Sequence, residues 1–81
     1  MAIENDVLIN YAVYDHPRDF PDDYVVRRWF VKRGLSEPVP ERSIYMQSEN
    51  LLDIRTRMKE LGLTRINRQE GDDATILETW L

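Results

Sequence analysis

The segment from Asp15 to Asp23 holds most of the side chains that could do chemistry. It contains the one histidine of the chain, His16, and carboxylates at Asp15, Asp19, Asp22 and Asp23. Carboxylates bind hard cations such as calcium, and histidine together with aspartate can hold zinc. The spacing matches neither an EF-hand loop nor a histidine pair, and such aspartates more commonly cap turns or pair with arginines. We therefore predict no metal or cofactor; a small metal-dependent enzyme that uses this loop is the alternative.

Acid–base catalysis by the same segment is a related alternative. An aspartate–histidine pair can transfer protons. However, Asp15 and His16 are adjacent, and neighbouring side chains on an extended backbone point to opposite sides. No Ser–His–Asp arrangement is recognisable, and without cysteine the chain has no thiol nucleophile and no thiolate metal ligand. The pattern favours a protein that is not an enzyme.

Two strands are predicted to hold this loop. Residues 7–14 and 24–33 are rich in β-branched and aromatic side chains, which favour extended structure. Pro17 and Pro21 interrupt regular structure between them, because each proline fixes its own φ and restricts the residue before it. The sequence therefore predicts a hairpin with a long, stiff loop, and loops held rigidly on a sheet often carry function.

One helix is predicted over residues 50–61. Ser48 or Asn50 can cap its N-terminus, and Gly62 can end it. A single apolar stripe is expected, because hydrophobic residues recur at steps of three and four. The residues of this stripe are Leu51, Ile54, Met58 and Leu61.

The other apolar segments are short and are predicted to be strands, at 42–47, 63–68 and 75–81, with a connector over 34–41. The order β-β-β-α-β-β predicts a two-layer α+β fold with one helix on a mostly antiparallel sheet of four or five strands. A chain of 81 residues corresponds to a single domain, 1–81.

One helix cannot cover both faces of such a sheet, so an exposed aromatic face is expected. In the last strand, alternation places Ile76, Glu78 and Trp80 on one side. Aromatic and arginine side chains are enriched in protein interfaces, and a chain this small buries only about 60% of its unfolded surface, so pairing would stabilise it. We therefore expect a dimer; alternatively, these rings fold into the core. The rings expected on this face are Tyr14, Trp29, Tyr45 and Trp80, with Arg27 and Arg33 around them.

The predicted binding residues combine this face with the loop. They are Tyr14, Asp15, His16, Arg18, Asp19, Arg27, Trp29, Tyr45 and Trp80.

The charge of the chain bears on its partners. Fifteen acidic and eleven basic residues give a net charge of −4, which disfavours general binding to phosphate backbones. Single-stranded nucleic acid stacked on the aromatic and basic face is a further alternative. Arg55 and Lys59 lie together off the apolar stripe of the helix, and we interpret them as a solvated surface rather than an anion-binding ridge.

Location can also be predicted. The first residues lack the basic and apolar regions of a signal peptide, and no apolar run approaches the roughly 20 residues that span a bilayer. The lack of cysteine fits a reducing compartment. These features predict a cytoplasmic protein that does not bind membranes.

Several motifs resemble a family of short, uncharacterised bacterial and phage proteins. They are YDHP at 14–17, DFPD at 19–22, VVRRW at 25–29 and ILETW at 76–80. Members of that family typically run YDHPxDFPDxFVVRxW … VEVW; this chain has Tyr24 where phenylalanine is usual and Thr79 where valine is usual. The resemblance implies that the loop and the second strand act together, and it implies no reaction or ligand. The expected function is a self-associating protein-interaction module, such as a phage-derived accessory or host-targeting factor.

Overall fold

The computed structural model describes residues 2–4, 7–34 and 37–81. This part of the chain forms one helix and one antiparallel sheet. The elements are β1 (Ala2–Glu4), β2 (Val7–Asp15), β3 (Tyr24–Lys32), β4 (Val39–Pro40), β5 (Met46–Ser48), α1 (Leu51–Glu60), β6 (Arg65–Asn67) and β7 (Ile76–Trp80).

The predicted α+β class, the single helix and the antiparallel sheet are confirmed. The sheet exceeds the predicted strand count because β1 and β4 add two short strands. β4 lies within the connector predicted over 34–41, of which residues 35 and 36 fall outside the described residues. No helix in the described part of the chain has both the length and the apolar character needed to cross a membrane.

β2 is the central strand of the sheet. β3 pairs with it over the whole of Val7–Asp15. On the other edge, β1 pairs with the first third of β2 and β7 with its second half. β4 and β5 add to the free edge of β3, and β6 adds to that of β7. The two long strands therefore supply most of both sheet faces.

The ends of α1 form as predicted. Asn50 is the N-cap, and its side-chain oxygen accepts a hydrogen bond from the backbone N–H of Leu52 at 3.0 Å. Gly62 has a φ of 77° and follows the helix as the C′ residue. The Gly62 N–H donates to the Lys59 carbonyl and the Leu63 N–H donates to the Met58 carbonyl, which is the Schellman pattern.

α1 packs on the sheet face that carries the odd-numbered residues of β2. Ile54 and Met58 of the helix are completely buried against that face. The sheet residues that share this core are Ile9, Tyr11, Val13, Val26 and Trp80.

A β-bulge in β7 changes which residues face the helix. Val13 pairs with Glu78, whereas the next residue, Tyr14, pairs with Ile76, so Leu77 is the extra residue. Paired residues lie on the same side of a sheet. The prediction that Ile76 shares a side with Glu78 is therefore wrong, because the bulge turns Ile76 to the side away from the helix.

Candidate functional site

The sheet face opposite α1 carries the candidate functional site, which we call the open face. Its residues come from neighbouring positions in the register, where Asn10 pairs with Trp29 and Ala12 pairs with both Arg27 and Thr79. α1, the helix in the described part of the chain, lies on the other side. We define the open face by Asn10, Ala12, Tyr14, Arg27, Trp29, Ile76 and Thr79; Val25, which pairs with Tyr14, lies on the same side and is fully buried.

A shallow depression lies in the middle of the open face. Its volume is about 190 Å³, and Pro38 and Asp72 flank it. Ala12 has no bulky side chain and is only 4% exposed, so it sits low between larger neighbours. The depression is therefore small, and its walls are both apolar and polar.

Trp29 and Tyr14 are joined on this face. The indole Nε1–H of Trp29 donates a hydrogen bond to the Tyr14 hydroxyl at 3.2 Å, and both rings are half-buried. This bond satisfies the indole donor and fixes the two rings relative to each other. A pair of amphipathic rings held in this way can contact another molecule at little entropic cost.

Among the described residues, the buried polar side-chain atoms have hydrogen-bond partners with the exception of one atom of Asn10. Its side-chain Oδ1 is buried and has no hydrogen-bond partner among the described residues. An unsatisfied buried acceptor costs about 1–3 kcal/mol. Because Asn10 also lines the depression, a molecule bound there that supplied a donor to this atom would remove that cost.

The Asp15–Asp23 loop reaches the open face through one ion pair. Arg27 Nη2 lies 3.2 Å from Asp19 Oδ2, so the loop and β3 are linked there. Both side chains are partly exposed, and such pairs stabilise by about 0–1 kcal/mol. Arg18 is exposed and forms no ion pair among the described residues.

Asp15 and His16 do meet, contrary to prediction. His16 Nδ1 and Asp15 Oδ1 are hydrogen-bonded at 2.5 Å. They come together because His16 has a φ of 48°, which takes its backbone out of the extended conformation that separates neighbours. The His16 ring also meets the Tyr24 ring edge-on, with ring centroids 4.7 Å apart. In the described residues, no three groups of metal-ligand type converge here or elsewhere.

Trp80 and Tyr45 lie on the helix side, so their predicted place beside Trp29 is wrong. Trp80 is 3% exposed, and its indole N–H donates to Glu78 Oε2 at 2.8 Å. The Tyr45 ring packs edge-on against Tyr11, with centroids 5.2 Å apart. Both rings belong to the layer between helix and sheet, and this leaves Tyr14 and Trp29 as the predicted rings on the open face.

An ion pair that sequence reasoning missed joins α1 to β7, between a partly exposed arginine and a buried glutamate. Arg55 forms a bidentate bond to Glu78, with Nη2 to Oε1 at 2.7 Å and Nε to Oε2 at 3.3 Å. Glu78 is 2% exposed, and the hydrogen bonds that its carboxylate accepts from Arg55 raise the pKa of Arg55. Arg55 is therefore paired and only partly exposed, where a solvated side chain was predicted, whereas Lys59 is exposed as predicted.

A second missed pair joins β3 to the segment after β4. Arg28 Nη2 and Nε donate to the two carboxylate oxygens of Glu41 at 2.6 and 2.8 Å. The guanidinium carbon also lies 5.4 Å from the ring centroids of Phe30 and Tyr45. The hydrogen bond raises the pKa of Arg28 and lowers the pKa of Glu41.

Comparisons with protein-family models, with curated proteins and with solved structures found no match for this chain. The resemblance carried by the YDHP, DFPD and VVRRW motifs therefore stays an expectation.

Proposed function

We propose that this protein is a small, non-enzymatic interaction module that self-associates through the open face. The observation that carries the proposal is the buried, unpartnered Oδ1 of Asn10, a residue that lines the depression together with Trp29. Buried polar atoms in folded proteins nearly always have a partner. A second copy of the chain would supply donors to this atom, including the side-chain amide of its own Asn10.

The chemical character of the open face supports this proposal. Trp29 and Arg27 are of the residue types that contribute most to interface affinity, and they lie near Tyr14 on one side of the sheet. An open sheet face also packs readily against another with the strands roughly aligned. The surface therefore has the shape and the anchors of a face-to-face contact.

Charge complementarity favours a second copy as the partner. Arg27 lies on the β3 side of the open face, and Asp72 flanks it on the β7 side. A two-fold axis running along β2 would place the β3 side of one copy over the β7 side of the other. Each copy would then bring its Arg27 towards the other's Asp72, so the two charge patterns complement each other.

Solution molar mass tests the proposal directly. We expect light scattering on a sizing column to give twice the chain mass at about 100 μM and a shift towards the monomer on dilution. Trp29→Ala should stay folded and be monomeric across this range, because it removes the largest ring from the contact. Arg27→Asp should weaken association, and combining it with Asp72→Arg should restore much of it.

Leu52→Ala is the matched control. Leu52 is 66% exposed on α1, so it tests whether any loss of apolar surface is enough to change the mass. This variant should remain dimeric. A wild-type chain that is monomeric at about 100 μM, or a Trp29→Ala variant that remains dimeric, would refute the proposal.

A further inference from the structure

A second concave surface lies on the helix side, between α1 and the β6–β7 pair. It has a volume of about 380 Å³. Small-molecule sites commonly occupy about 300–1,000 Å³, so it is large enough for a compact ligand. We call it the basic cleft, and its lining residues are Arg55, Lys59, Leu63, Thr64, Arg65 and Trp80.

The charged side chains that line the basic cleft, counted together with Glu78, carry a net charge of +2. Arg55 is neutralised by Glu78, which holds the guanidinium in place through two hydrogen bonds. Lys59 and Arg65 are exposed and form no ion pair within the described residues. The net charge of +2 matches a phosphate monoester, which carries about −1.5 to −2 near neutral pH.

The geometry of the cleft keeps these cations together. Lys59 follows Arg55 by four residues, so both project from the same side of α1. Arg65 begins β6, and the backbone of the preceding residue, Thr64, is tied to Leu81 by two hydrogen bonds at 2.9 and 3.0 Å. The helix and the strand therefore each contribute cations to the lining of the cleft.

Two of the remaining lining residues, Leu63 and Trp80, are apolar. Leu63 packs against the core and Trp80 is part of it, and both line the cleft. An inorganic anion would leave this surface without a contact, whereas an organic group attached to the phosphate would cover it. Burial of apolar surface contributes about 25 cal/mol per Å², so the organic group adds affinity.

We propose that the basic cleft binds a small phosphate monoester whose apolar or aromatic group packs on the Leu63 side. The phosphate lies between Lys59 and Arg65, and the guanidinium of Arg55, oriented by Glu78, donates its free N–H groups to it. The cleft and the open face lie on opposite sides of the sheet, so this inference does not depend on self-association.

Titration of the full chain with phenyl phosphate, followed by nitrogen-15 NMR, tests the proposal. We expect saturable shifts of the Thr64 and Arg65 amides and of the Trp80 indole N–H, with a Kd of about 1 mM or lower. Inorganic phosphate should bind about 10-fold more weakly, because it lacks the apolar contact. Phenol should cause no saturable shift, because it lacks the charge.

Charge-neutralising variants locate the bound phosphate. Lys59→Gln and Arg65→Gln should each weaken phenyl phosphate binding about 10-fold, because each removes a charge-assisted contact. Arg57→Gln is the control, since Arg57 is an exposed cation of the same helix that does not line the cleft. Its affinity should equal that of the unmodified chain.

Three results would overturn the inference. The first is no saturable shift up to about 10 mM phenyl phosphate. The second is equal affinity for phenyl phosphate and inorganic phosphate, which would mean that the apolar group of the ligand makes no favourable contact in the cleft. The third is an equal loss of affinity in Arg57→Gln and Lys59→Gln, which would mean that binding depends only on the net charge of the protein and not on the cleft. Trp29→Ala should bind phenyl phosphate normally, so failure of the dimer and failure of the cleft are separable.

Discussion

The two faces of this sheet are built from the same strands but differ in how their buried polar groups are hydrogen-bonded. On the helix side, the buried acid Glu78 has two donors, and the half-buried Arg28 has both a carboxylate and two rings around it. On the open face, Trp29 is satisfied by a neighbouring ring, but the buried acceptor of Asn10 is not. Among the described residues, the buried polar side-chain atoms on the helix side have hydrogen-bond partners, whereas Asn10 Oδ1 on the open face does not.

This difference shows where polar groups are informative. A buried charge with all its partners tells how the fold is held together, as Glu78 does. A buried polar atom without a partner points outside the chain, because the fold supplies nothing to offset its desolvation. The following predictions separate these two roles.

The largest effect is expected under the helix. Ile54 is completely buried, so Ile54→Ala should lower the free energy of unfolding by about 3 kcal/mol, through lost apolar contact and a cavity. Urea denaturation would measure the change. Leu52→Ala, at an exposed position two residues away on the same helix, should change it by less than about 0.5 kcal/mol. Similar losses in both variants would mean that α1 is not packed as described.

A smaller loss is expected from the buried ion pair. Glu78→Gln keeps the shape of the side chain but removes the charge that Arg55 and the Trp80 indole share. The free energy of unfolding should fall by about 2 kcal/mol, because Arg55 then lacks its partner. Glu60→Gln, at an exposed acid at the end of α1, serves as the control for lost charge. An equal loss of unfolding free energy in Glu78→Gln and Glu60→Gln would show that the charge of Glu78 makes no net contribution to stability.

On the open face, by contrast, one substitution is expected to raise the free energy of unfolding. Asn10→Leu replaces the unpartnered acceptor by an apolar group of similar size, so the monomer should gain about 1 kcal/mol. Denaturation at protein concentrations low enough to exclude dimers would measure this gain. Asn67→Leu, at an exposed position in β6, provides the comparison. A loss of stability in Asn10→Leu would indicate that Asn10 has a hydrogen-bond partner within the monomer.

The smallest effect depends on pH. Arg28 lowers the pKa of Glu41. The pair therefore contributes its full stabilisation at pH values above the ordinary carboxyl pKa of about 4.3, and this contribution is lost as the pH falls through the lowered pKa. Glu41→Gln should cost about 0.5–1 kcal/mol at neutral pH and flatten the loss of stability between about pH 5 and pH 3. Thermal unfolding across this range, with exposed Glu37→Gln as control, would detect the change. An unchanged pH profile would rule out a contribution from the pair.

Local signals in the sequence predicted the helix and the two long strands well, whereas the strand predicted over 42–47 is shorter and lies at Met46–Ser48. The apolar stripe of α1, the Asn50 cap and the Gly62 end are all confirmed, because each depends on residues within a few positions of one another. The two long strands are also confirmed within a residue at each end. Prediction was reliable wherever the physics was local.

The errors arose where distant residues decide the outcome. Trp80 was expected on the exposed side of the sheet, but it lies with Glu78 on the helix side, where Arg55, far away in sequence, pairs with Glu78. Alternation shows which residues share a side of one strand, but not which side meets the helix. The bulge at Leu77 and the φ of His16 likewise depend on the assembled sheet.

The position of β2, paired along most of both edges, has a consequence for solvent exchange. Its amide hydrogens can be replaced by deuterium only when the sheet separates, whereas those of the outer strands β5 and β6 exchange through local fraying. A binding partner that slows exchange in β2 therefore stabilises the entire fold. A partner that slows exchange only in β6 stabilises only that edge of the sheet.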